Sequence, residues 1–204
     1  LNGLVRWDAR EPKVYTTRDG LSADYVRAIV EDRDGTLWIG TRGGGLNRLR
    51  PSVVESQEIA SGLPFEAVRS VCQDRDGTLW AVSGDGGSPS ETLYTVNTSD
   101  ATLTLQFALG NGADGETIEF HTNGLLYHSS GNSTAFFESV NVDTQVVTPI
   151  GSAVTEMFAM GQSPGNGLLY GNDLSNAFYT IDIATGARAP VGTINAVNDN
   201  RGLA

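Results

Sequence analysis

Short apolar or alternating runs recur along the whole chain, each bounded by Gly, Asp, Ser or Pro. Val26 to Glu31, Thr36 to Thr41, Gly45 to Arg50 and Val53 to Ala60 are the clearest set, and their length and bounds predict four consecutive β-strands. Between the first two stands Asp34-Gly35, a two-residue hairpin signal, because Gly takes positive φ without steric cost. The same device returns at Asp76-Gly77 and, with Asn, at Asn123-Gly124. Twenty-five Gly and frequent Asn, Asp, Ser and Thr fit many turns rather than long helices.

The strand pattern repeats. In the first part the period is 42 residues: Asp32-Arg33-Asp34-Gly35-Thr36-Leu37-Trp38 returns as Asp74-Arg75-Asp76-Gly77-Thr78-Leu79-Trp80. Gly20-Leu21 returns as Gly62-Leu63, and Val26-Arg27 as Val68-Arg69. Running backwards, Gly3-Leu4 and Arg6 match Gly45-Leu46 and Arg48, so the chain begins midway through a repeat. In the second part the wording changes while the period persists. Asn123-Gly124-Leu125-Leu126-Tyr127 returns as Asn166-Gly167-Leu168-Leu169-Tyr170, and Phe137 to Gly151 aligns with Phe178 to Gly192. The change falls near Ser83 to Glu91, in a Gly/Ser/Pro stretch.

Four short antiparallel strands in each repeat of this length predict a β-propeller, an all-β fold whose blades each expose two apolar faces and must stack in a ring. Complete blades are expected at 26–60, 68–109, 117–152 and 154–195. Residues 3–18 supply the third and fourth strands of another, and Val197 to Ala204 the start of its innermost strand. At this period 204 residues hold about 4.9 repeats, so the expectation is one domain spanning 1–204: a five-bladed ring whose last blade is assembled from both termini. That blade lacks a second strand, which predicts self-association through its open edge. Trp38 and Trp80, at one repeat position, are expected to pack blade on blade. Each removes roughly 150–250 Å² from water, worth about 4–6 kcal/mol as an upper bound.

Gly20-Leu21-Ser22, Val26, Ile29, Glu31-Asp32 to Gly35, Leu37 to Thr41 and Gly44-Gly45-Leu46 together resemble the two-component regulator propeller repeat. The resemblance covers about residues 1–83; the second copy departs after Trp80, where Ala81-Val82-Ser83 replaces the expected Ile-Gly-Thr. It implies a propeller from the periplasmic sensing region of a bacterial histidine kinase, and hence a periplasmic or extracellular location. With its Leu-Leu-Tyr, Tyr179 to Asp182 and Thr185 to Gly192 pieces, the second repeat set (84–204) is similar over about residues 91–204 to other bacterial extracellular propeller repeats. Two unlike repeat families in one small ring imply a chimera, natural or engineered, whose role is that of a scaffold.

Charge sharpens this division. Eleven of the 13 basic residues lie between Arg6 and Arg75, whereas acidic residues divide twelve and twelve about the same point, and all three Trp fall in the first 80 residues. A net charge of −11 disfavours nucleic acid and anionic membrane as partners. No run of about 18 apolar residues marks a membrane span, and Leu1-Asn2-Gly3 does not open a signal peptide. The chain lacks an initiator Met and reads as a processed or excised piece. The single Cys72 excludes an internal disulfide and, inside an apolar strand, is expected to be buried and inert.

Candidate chemistry is sparse. Asp32-x-Asp34-Gly35 and Asp74-x-Asp76-Gly77 resemble the opening of a calcium loop, yet a strand follows at once, so they are read as hairpin turns. Gly40 to Gly45 and Gly84 to Gly87 lack the following helix that a phosphate loop requires. His121 and His128 could approach across the Asn123-Gly124 hairpin, but a zinc site needs three or four ligands; exposed or incidentally hydrogen-bonded imidazoles are expected. Asn97-Thr98-Ser99 and Asn132-Ser133-Thr134 match the glycosylation pattern, which matters only in a eukaryotic secretory setting. The reading is therefore of a non-enzyme with no catalytic residue, cofactor or metal. A carbohydrate or protein ligand would meet the mouth of the channel, where Ser22, Asp24, Tyr25, Arg42, Phe65, Glu66, Asp85, Asp114, Glu116 and Ser129 to Asn132 gather.

Overall fold

A computed structural model describes residues 3–7, 12–50, 53–57, 68–84, 87–110, 115–131, 136–152, 155–173 and 175–194. β1 (Leu4–Trp7) and β2 (Pro12–Tyr15) pair into a two-stranded sheet, followed by a 3-10 turn at Thr17–Asp19. The first four-stranded sheet holds β3 (Val26–Glu31), β4 (Leu37–Thr41), β5 (Gly45–Arg50) and β6 (Val53–Gln57). The second holds β7 (Val68–Gln73), β8 (Leu79–Ser83), β9 (Thr92–Val96) and β10 (Leu103–Ala108). The third holds β11 (Gly115–Phe120), β12 (Leu126–Ser130), β13 (Phe136–Asn141) and β14 (Val146–Ser152). The fourth holds β15 (Met157–Gln162), β16 (Leu169–Asp173), β17 (Ala177–Ile181) and β18 (Arg188–Thr193).

Every sheet is an antiparallel meander in chain order, and packing runs along the first strands, from β3 to β7 to β11 to β15. The architecture is an all-β propeller. Four complete blades and the two-stranded piece are present among the described residues, and the expected count of five is not reached. The innermost strand expected at Val197 to Ala204 lies outside those residues.

The Asp-x-Asp-Gly-Thr-Leu-Trp segment is one device with two functions. Asp32 Oδ1 accepts from the amides of Asp34 (3.0 Å) and Thr36 (2.9 Å), which sets the hairpin between β3 and β4. Its Oδ2 accepts the indole N–H of Trp38 at 2.8 Å. Asp74 repeats the arrangement with Asp76 (3.0 Å), Thr78 (2.8 Å) and Trp80 (3.0 Å). An indole can be buried only when its N–H finds an acceptor, and the turn delivers one. Both turns carry Gly at positive φ, +75° at Gly35 and +89° at Gly77.

With its polar edge satisfied, Trp38 packs fully buried beside Ala28 and Leu46 against Val68, Val71 and Leu79 of the next blade. Arg48 lies over its ring and reaches the second blade, donating through Nη1 to the carbonyls of Thr98 and Ser99, both at 2.9 Å. Trp80 does the same at the second joint, with Leu93 and Val82 against Ile118, Leu126 and Val140, and its ring lies 6.0 Å from Phe120. The third joint sets Tyr127 and Phe137 against Met157, Met160 and Leu169. Leu4, Leu21 and Ile39, joined by Tyr15, seat the two-stranded sheet on the first blade.

Each innermost strand bulges near its start. The register slips between Val26 and Ala28, Val68 and Ser70, Gly115 and Thr117, and Met157 and Ala159. The inserted residues are Arg27, Arg69, Glu116 and Phe158.

Trp38→Ala should cost about 3–5 kcal/mol, as for other large buried side chains. Trp38→Phe should cost about 1–3 kcal/mol, because Asp32 Oδ2 loses its partner in a buried site. Urea unfolding of the two variants tests this; a Trp38→Phe protein as stable as the parent would separate the carboxylate–indole bond from stability.

Candidate functional site

The turn before β3 was expected to line the channel mouth, and its polar groups are engaged in the fold. Ser22 exchanges two hydrogen bonds with Asn47: its amide donates to Oδ1 at 2.9 Å and its hydroxyl accepts from Nδ2 at 2.8 Å. The same hydroxyl lies 3.1 Å from Thr41 Oγ1, which donates to the Gly45 carbonyl. Asp24 accepts from the Thr17 amide at 2.5 Å, and its carbonyl accepts from Gly3 at 2.6 Å, so it anchors the N-terminal sheet. The Gly43-Gly44-Gly45 run serves the same contact. Gly43 and Gly45 have φ near +77° and +78°, and a Cβ on Gly44 would lie 2.7 Å from Ser22. The close approach explains Gly44, and the left-handed backbone explains Gly43 and Gly45.

Tyr25 remains as the centre of a small cationic cluster. The guanidinium of Arg27 lies 5.0 Å from its ring centroid and that of Arg42 5.9 Å. Arg42 is exposed, and its amide donates to the Tyr25 carbonyl at 2.9 Å. Phe65, Glu66, Asp85, Asp114 and Asn132 lie outside the described residues, as does the side chain of Glu116. Ser129 and Ser130 are buried in β12.

The two imidazoles do not meet. His121 sits in the β11–β12 turn, where Nδ1 accepts from the Asn123 amide at 3.2 Å; Nε2 is therefore the protonated nitrogen and donates to Gly167 of the fourth blade at 3.1 Å. His128 is fully buried in β12 at the opposite joint and hydrogen-bonded, the second of the two alternatives expected for it. Its Nδ1 lies 2.8 Å from Glu138 Oε1 and its Nε2 3.9 Å from Glu91 Oε1. All three side chains are at most 1% exposed. Sequence reading missed this row. The available signal was Glu138, which stands in phase with Phe136 and Val140 on an inward-facing register. Glu91, at φ +47°, comes from the other blade, and no spacing in the sequence links it to His128.

Side chains also tie neighbouring innermost strands together. Ser70 Oγ accepts from the Ile118 amide (3.2 Å) and donates to its carbonyl (3.4 Å); Thr117 Oγ1 accepts from the Met160 amide at 3.0 Å. Glu119 Oε1 accepts from the Gln162 amide at 3.1 Å. Burial pushes the Glu119 carboxyl up to about 7, against the opposing effect of that single hydrogen bond. Cys72 is buried in the second joint, where loss of solvent and the nearby Glu119 and Asp74 raise its thiol well above the usual range. Among the described residues no group of three or more His, Cys, Asp or Glu is placed to hold a metal ion, and no helix is long and apolar enough to cross a membrane.

Residues 20–43 and 62–85 match the two component regulator propeller family. No curated protein matches the chain. Among solved structures, the extracellular domain assigned to a one component system of B. thetaiotaomicron shares 18% identity, with TM-score 0.63 over 94% of this chain and 28% of that one. An auxiliary nutrient binding protein from Bacteroides ovatus shares 14% identity, with TM-score 0.65 over 82% of this chain and 41% of its own. Virginiamycin B lyase from Staphylococcus aureus shares 15%, with TM-score 0.64 over 96% and 64%. At these identities the likeness establishes the propeller fold. The chain spans well under half the length of the first two of these proteins.

Because the folded carboxyl of Glu119 holds its proton to higher pH than in the unfolded chain, its contribution to stability falls as pH rises from about 4.5 to about 7. Glu119→Gln keeps the acceptor for Gln162 and removes the titration. The variant should gain up to about 3 kcal/mol relative to the parent between pH 4.5 and 8. Urea unfolding across that range measures it, and parallel pH profiles would refute it.

Proposed function

We propose that the chain is a non-enzymatic propeller scaffold assembled from two repeat families by natural or engineered fusion, with a fifth blade composed from both ends. In this reading β1–β2 are the outer strands of that blade and Val197 to Ala204 its innermost strand. The observation that carries the scaffold reading is where the recurrent polar groups end. Asp32 and Asp74 hold turns to indoles, Ser22 and Asn47 hold the entry to the first blade, and Ser70 and Thr117 hold neighbouring strands.

The fusion is supported by a change of device between halves. Where the first two blades use Asp and Trp, the third and fourth use Asn123 donating to the Tyr127 hydroxyl at 2.9 Å and Asn166 donating to the Tyr170 hydroxyl at 3.0 Å.

The second reading is a ligand- or partner-binding piece of a bacterial periplasmic sensor propeller. The family match over residues 20–43 and 62–85 favours it, and so does the Tyr25–Arg27–Arg42 cluster, which could stack on a sugar ring or bond an acidic group. A nutrient binding protein shares the fold, and the ring and guanidinium groups of the cluster make carbohydrate the first class to try. The likeness to virginiamycin B lyase is one of fold and carries no catalytic residue across.

Thermal-shift screening against neutral and acidic oligosaccharides and divalent metals separates the two. The scaffold reading expects no shift from any class. A reproducible stabilisation that Arg42→Ala abolishes would establish the binding reading in its place.

A further inference from the structure

The third joint shows how one blade of the second half receives the next. Tyr127 and Phe137 stack with centroids 5.6 Å apart and planes 18° apart, and the fourth blade covers them until 3% and 2% of each remains exposed. The fourth blade carries the same pair at the equivalent positions: Tyr170 and Phe178 stack at 5.3 Å and 14°. Here nothing among the described residues covers them, and both are only half-buried. They line a groove of about 530 Å³ with Gly161, Pro164 and Val191, and Val191 is 56% exposed. A stacked pair whose counterpart is a blade joint is half of a joint.

The other end of the arc supplies a matching half. Leu4 and Tyr15 are cross-strand partners that face the first blade. Val5 and Val14, the adjacent partners, point to the opposite side and are 47% and 39% exposed. Charge selects between occupants. Up to Ser83 the chain holds eleven basic against twelve acidic residues, and after it two against twelve. Two copies joined through their fourth blades would bring two strongly acidic halves together, whereas the near-neutral N-terminal end meets no such repulsion. Tethering in one chain raises the effective concentration of that end over any second copy.

We propose that the Tyr170–Phe178 face is a docking surface for the chain's own β1–β2 sheet, received through Val5 and Val14, so that the arc closes in cis. This rests on the composite fifth blade proposed above and names the surfaces that close it.

Crosslinking tests it. In a Cys72→Ala background, Val5→Cys is combined with Thr180→Cys, the cross-strand partner of Tyr170, and treated with a short bismaleimide. The expected product is an internally crosslinked monomer, with a several-fold lower yield when Phe178→Ser is added and the circular dichroism is unchanged. No crosslink, a product joining two molecules, or a yield indifferent to Phe178→Ser would each overturn the proposal. A product joining two molecules would leave the composite blade standing with the exchange in trans, whereas no crosslink would remove the composite blade as well; neither outcome depends on whether a ligand shifts the melting temperature.

Discussion

A propeller blade is apolar on both faces, and the chain satisfies that constraint by making each turn serve a joint. Asp32 shows how closely the two levels are tied. One oxygen fixes the hairpin that lets β3 and β4 pair, and the other accepts the N–H of the Trp38 indole that fills the space against the second blade. Neither half of this arrangement is stable alone: an unpaired indole N–H is costly in a dry joint, and a buried carboxylate needs all its donors. The segment therefore recurs as a unit, because altering any member strips a partner from another.

The later blades meet the same constraint with different chemistry. Asn123 and Asn166 set their turns by accepting from the amides of Leu125 and Leu168, then donate to the hydroxyls of Tyr127 and Tyr170. The carboxylate–indole pair becomes an amide–phenol pair, neutral throughout. The joint between blades two and three, where one chemistry gives way to the other, buries three titratable side chains together. Glu91, His128 and Glu138 form a row there without the regular acceptor pattern of either half. Next to it Ser70 bonds both backbone groups of Ile118 and ties the innermost strands directly.

Much of this was legible in the sequence, and the reason is local. The bounds of β3 and β5, the hairpins at Gly35, Gly77 and Gly124, and the burial of Trp38 and Trp80 all follow from periods shorter than one blade. Cys72 behaved as an apolar strand residue. What escaped was set across joints. Ser22 and Asp24 read as mouth residues because their turn lies before an innermost strand, yet Asn47 and Thr17 engage them. The bulges that insert Arg27, Arg69 and Phe158 left no trace in the alternation, since one extra residue only shifts the phase. The His128 row required knowing which blades face each other.

Those bulges also bear on where function can reside in such a fold. A bulge re-aims one side chain and relieves it of the pairing that governs its neighbours. Four blades place it at the same point of the innermost strand, and the residues there are Arg27, Arg69, Glu116 and Phe158. By contrast, the joint positions repeat within each half as Trp with Trp and Tyr with Tyr. The register slips at that point in every complete blade, whichever residue stands there. At that point of the innermost strand the residue changes from two cations to an anion and an aromatic, so the bulge recurs as a feature of the backbone and does not fix its residue type.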